Sequence, residues 1–141
     1  MRYPTIVLII TLFIGGCNKD PRIKTYNLRP YNNSTLSGKV LFIETTHQDT
    51  TIVRLEAAGI LPNTQYLAHL HTGTPGNLTG TILYFNHVIS SNNQVTCDEK
   101  WNISFDNAIQ SNSCFTVHNP TFFSNDTIGY VLAGNTGANA R

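Results

Sequence analysis

Charge is scarce in this chain: Asp, Glu, Lys and Arg together make up 12% of it and nearly cancel, for a formal net charge of +1. So few cations cannot build the basic face that neutralises a phosphate backbone, and nucleic acid is not an expected partner. Helical periodicity is almost absent as well; the best helix candidate is Ser104 to Gln110, one or two turns long, with Ser104 available as its cap, and Asp126-Thr127 could begin another short turn. No Gly-x-Ser-x-Gly elbow and no His-Glu-x-x-His helix occurs. Gly73-Thr74-Pro75-Gly76-Asn77 opens no helix, which makes it turn chemistry rather than a phosphate cradle. Long apolar runs are missing too, apart from Ile6 to Ile14, which only Thr11 interrupts.

That run is too short to span a bilayer, which takes about 20 apolar residues. With Arg2 before it, it reads as the hydrophobic region of a signal peptide. It closes on Ile14-Gly15-Gly16-Cys17, which resembles the lipobox of bacterial lipoproteins. The resemblance implies removal of residues 1–16 and a lipid on Cys17, hence a membrane as partner. Asn18 is not the aspartate of the retention rule known for enteric lipoproteins, which favours the outer membrane, and Lys19-Asp20 is similar to short charged signals for surface export. A periplasmic or surface-facing position in the cell envelope is expected. In an exported chain the remaining cysteines, Cys97 and Cys114, form an even pair for which a disulfide is the default, with free thiols or soft metal ligands as alternatives.

Residues 17–141 fit one domain. Residues 17–35 are polar, with Pro21, Pro30 and Asn32-Asn33-Ser34, and read as a flexible tether. From residue 36 onward, short runs rich in Val, Ile, Thr, Phe and Tyr are closed by Gly, Pro or Asn. Strands are expected at Gly38 to Thr45, Thr50 to Glu56, Thr64 to His71, Thr79 to Phe85, Gln94 to Trp101, Ser113 to His118 and Ile128 to Leu132, the last followed by a Gly/Asn-rich tail. The alternation in Thr51 to Glu56 leaves open which face turns inward. Many short strands joined by turns argue for an all-β Greek-key sandwich or barrel. Trp101 reads as a core anchor.

The chemically suggestive residues are histidines. His69 and His71 stand at i and i+2 of an expected strand and so point the same way, while Ala68 and Leu70 take the other face. His118 from a neighbouring strand could complete a copper or zinc site, or all three could pack and hydrogen-bond to backbone; strand pairing decides. His47 falls in the turn Thr46 to Asp49 and His87 at a strand end, where solvated positions are expected. Asn33, Asn77, Asn102 and Asn125 lie in N-x-Ser/Thr sequons, which carry little meaning in a bacterial lipoprotein.

Tyr66-Leu67-Ala68-His69-Leu70-His71-Thr72-Gly73 resembles the "AHIH.G" segment of the CHRD domain, and Cys114-Phe115-Thr116-Val117-His118 resembles its later "INVH" strand. Tyr130 to Asn139 is similar to the "VAQGDIGSN" segment of bacterial members, and Ser37-Gly38-Lys39-Val40 to the opening "SGxxxF", so the likeness covers roughly residues 35–141. It implies a β-sandwich or barrel whose biochemical role is largely unknown. A binding or structural role in the cell envelope is expected, toward an envelope or extracellular protein partner. The same features are similar to copper/zinc superoxide dismutase, whose "HVH" and "VVH" strands supply copper ligands and whose "GNAGSR" carries an active-site arginine. That likeness implies His69, His71 and His118 as ligands and Arg141 in the arginine's place. The chain departs from the dismutase, having no long loop with a bridging histidine between Gly73 and Thr79 and no later cysteine-bearing strand. Catalysis of superoxide dismutation is therefore not expected.

Overall fold

The computed structural model describes residues 19–59, 64–89, 93–119 and 129–140, without the side chains of 86–89. Residues 1–16, Cys17, Asp126-Thr127 and Arg141 lie outside the described residues. The described residues form eight strands: β1 (Ile23–Pro30), β2 (Ser37–Glu44), β3 (Thr51–Ala58), β4 (Gln65–Thr74), β5 (Asn77–Ile89), β6 (Gln94–Trp101), β7 (Asn112–His118) and β8 (Tyr130–Gly137). They make one antiparallel sheet in the order β5-β4-β7-β8-β1-β2-β3-β6, curled so that its edge strands β5 and β6 meet. β7 returns to lie beside β4, the strand that opens the β4–β5–β6 run, and this return is a Greek key.

Alternation builds the interior. Val40 and Phe42 of β2, Val53 and Leu55 of β3, Ala68 and Leu70 of β4, and Phe115 and Val117 of β7 turn inward and are buried in one cluster. Tyr26 meets Phe42 edge-on at 5.0 Å, and Trp101 meets it at 5.8 Å, so the expected anchor packs against the core. The open question for β3 resolves with Thr51, Val53, Leu55 and Ala57 inward and Ile52, Arg54 and Glu56 outward. On that outer face Arg54 donates twice to Asp98, at 2.7 and 2.8 Å, and Lys39 pairs with Glu56 at 2.9 Å, each across neighbouring strands. Such exposed pairs contribute at most about 1 kcal/mol each.

The β6–β7 crossover carries α1 (Phe105–Gln110), which inserts Phe105 and Ala108 into the end of the barrel. Ser104 caps it as expected, its hydroxyl accepting from the Asn107 amide. Arg22 clamps this end: it donates to Glu44 and to Asp106, both at 2.8 Å, and its guanidinium stacks over the Phe105 ring at 4.7 Å.

Three sequence expectations are corrected. The stretch read as a tether contains β1, because Tyr26 and Leu28 alternate inward and six residues of the strand pair with β2. The last strand runs to Gly137 rather than stopping at Leu132, since Asn135 and Thr136 find partners on β7. Cys97 and Cys114 are free thiols rather than a disulfide. Cys97 is opposite Leu55 on the inner face, whereas Cys114 alternates with Phe115 and belongs to the outer one, so the sheet itself separates them.

Candidate metal centre

β4 and β7 run side by side with Leu67 opposite His118, His69 opposite Thr116 and His71 opposite Cys114. Directly opposed residues share a face. With Ala68, Leu70, Phe115 and Val117 committed to the core, His69, His71 and His118 are left together on the outer face of the wall. One ligand nitrogen from each lies within 4.8 Å of the other two. Three atoms so spaced share a point within about 2.8 Å of each, and metal–imidazole bonds are about 2.0 to 2.1 Å, so modest ring rotations would close a three-nitrogen site. Sequence reasoning named these three residues, and the fold brings all three together.

The rings are packed rather than solvated. His71 is 7% exposed, and His69 and His118 are half-buried. Burial lowers all three proton affinities, and the neighbouring imidazoles add to the effect at His69 and His118, both brought down to about 4. At neutral pH the cluster is uncharged, which keeps nitrogen lone pairs available without proton competition.

Thr116, fully buried beneath the rings, approaches His71 Nε2 at 3.1 Å and His118 Nε2 at 3.0 Å. A hydroxyl carries one proton, so it donates to one of these nitrogens and accepts from the other. His71 Nδ1 faces the Thr81 hydroxyl at 3.2 Å, and the ring also bonds the Gly80 backbone. A ring whose Nδ1–H donates outward keeps its Nε2 lone pair for a metal. Tyr84 stands edge-on to His69 at 5.1 Å, and Tyr130 edge-on to His118 at 4.8 Å. Among the described residues no carboxylate or thiol joins the group.

The sequence reading missed Thr81, Thr116, Tyr84 and Tyr130. Thr116 was accessible by alternation with His118. The others depend on β-bulges. Extra residues in β5 put both Thr81 and Tyr84 opposite histidines although they are three apart, and an irregularity at Val117/His118 sets Tyr130 opposite His118 rather than inward with Leu132. His47 sits in an exposed turn as expected. His87 belongs to β5 rather than to a strand end, and its side chain lies outside the described residues. The Gly73–Asn77 stretch is the β4–β5 hairpin turn, centred on Pro75 and Gly76. Comparison with protein-family models and with curated proteins finds no match to this chain.

Proposed function

We propose that this chain is a lipid-anchored protein of the bacterial cell envelope whose barrel, CHRD-like and dismutase-like in its motifs, binds one copper or zinc ion through His69, His71 and His118. The observation that carries the metal reading is the convergence of three uncharged imidazole nitrogens within 4.8 Å of one another. Four-coordinate zinc and copper accept such nitrogen sets, and three protein donors leave one position for water or a small ligand. Thr81 and the Gly80 backbone would orient the His71 ring, and the metal would replace Thr116 at the nitrogens it holds; Tyr84 and Tyr130 hem the site. The β4–β5 connection is a tight turn, and the reading proposed is binding at the single centre formed by the three histidines.

Titration of the metal-free protein with Cu²⁺ and Zn²⁺ tests this. The wild type should take up one equivalent of at least one of them. Removing an outer-shell partner of a metal site already costs 10–100-fold in affinity, so His71→Ala should weaken uptake by more than about a hundredfold. Absence of uptake by the wild type would end the metal reading. For the anchor, Cys17→Ala should abolish incorporation of radiolabelled palmitate; continued incorporation would show the lipid to be elsewhere.

A further inference from the structure

Antiparallel sheets with one face toward water normally turn polar side chains outward. The β1–β2–β3 wall does not do so at one end. Ile23, Ile43 and Ile52 occupy a single register line across the three strands, and Leu41 lies in the adjoining row between Thr25 and Arg54. All four are on the face opposite Phe42 and Val53, and none packs into the core. Ile23 is 55% exposed, and the other three are half-buried. Among the described residues nothing covers this aliphatic patch, and a contiguous patch of this kind marks an interaction surface. Two lysines stand at its margin: Lys100 continues the line beyond Ile52, and Lys19 lies near enough to Glu44 to act on its carboxyl.

The position of the patch identifies its occupant. Ile23 follows Cys17 by six residues, a segment that spans at most about 20 Å when fully extended. β2 alone, at eight residues, is about 27 Å long. An anchor at Cys17 therefore keeps the Ile23 end of the barrel close to the bilayer, within a distance shorter than the barrel wall. We infer that the Ile23–Leu41–Ile43–Ile52 face rests on the membrane, its aliphatic side chains at the headgroup boundary and Lys19 and Lys100 toward anionic lipid. This rests on the lipid-anchor reading. Aliphatic contact combined with lysines at its margin is the chemistry by which surfaces lie on anionic bilayers.

The test uses the lipidated full-length chain in phosphatidylglycerol/phosphatidylcholine vesicles containing a lipid with a nitroxide at its headgroup. A fluorophore is attached to Thr25→Cys, beside the patch, or to Thr96→Cys, at the far end of the same outer face. Cys97 and Cys114 are shielded and protonated, so neither competes for label at neutral pH. Quenching several-fold stronger at position 25 than at 96, and reduced in an Ile23→Asn/Ile52→Asn background that still takes up metal, is expected. Equal quenching at the two positions in a chain whose mass shows the lipid would overturn the orientation alone. So would protection of position 25 without quenching, which indicates a second copy on the patch. A mature chain without the lipid adduct would overturn the anchor, and the orientation with it.

Discussion

Thr116 is the residue on which the histidine cluster turns, because a single hydroxyl serves two ring nitrogens, donating to one and accepting from the other. Replacing it by valine keeps the volume and removes both partners. Leaving buried nitrogens unsatisfied costs roughly 1 to 3 kcal/mol. Thr116→Val should lower the metal-free protein's stability by that amount in denaturant titration, and bound metal should restore more stability to the variant than to the wild type, since ligation satisfies the same nitrogens. The cysteines make a second residue-scale prediction. Unfolded without reductant, the protein should expose two reactive thiols at positions 97 and 114, and its melting temperature should not change on adding reductant. A disulfide was a sound expectation from count and compartment, but pairing depends on which face each thiol takes, and that follows from strand register.

Among the elements, the end of the barrel is held by side chains more than by sheet. Arg22 joins β1 to β2 and α1 through Glu44 and Asp106. Hydrogen bonds from Arg22 hold the Glu44 carboxyl at about 2, well below its ordinary value. A carboxylate whose proton affinity is depressed by folding stabilises the fold above its ordinary value, and that contribution is lost as pH falls toward 2. Arg22→Ala should therefore lower stability by a constant amount above about pH 4.5 and flatten the acid limb between about pH 4.5 and pH 2, where the two proteins converge, as urea titrations across that range would show. The β1–β8 seam has a tighter constraint. A Cβ on Gly134 would stand 2.7 Å from the Asn27 carbonyl and 3.1 Å from a Leu28 methyl, so Gly134→Ala must push the two strands apart. Strain of this kind costs about 1 to 3 kcal/mol, measurable by thermal unfolding.

At the scale of the whole molecule, most of the strand pattern was legible because each strand alternates in sequence: Gln94 to Trp101 was placed to the residue, and the Ser104 cap marked the only α-helix of the described residues. β1 was not legible. Its polar outer residues and Pro30 look like linker, and only Tyr26 and Leu28 turn inward. The three histidines could be nominated from spacing, but their union needed the β4–β7 pairing, which joins strands separated by the whole β5–β6 excursion. The tyrosines beside them were hidden by bulges, which reverse the alternation on which such reading depends. The core itself was easier to foresee. Phe42, fully buried and in edge contact with Tyr26 and Trp101, should cost about 3 to 5 kcal/mol on truncation to alanine.

The Arg22 clamp has a mechanical consequence. Tension applied at the amino end enters the barrel at Arg22 and, once the Glu44 amide lets go of the Arg22 carbonyl, would peel β1 from β2 one ladder pair at a time from Ile23 and Ile43 onward. Arg22 stands ahead of that first pair and grips Glu44 and Asp106 on two other elements, so it acts as a clasp at the start of the tear. Single-molecule pulling from residue 19 should show Arg22→Ala lowering the force of the first yielding event, while pulling from the carboxyl end leaves that force unchanged.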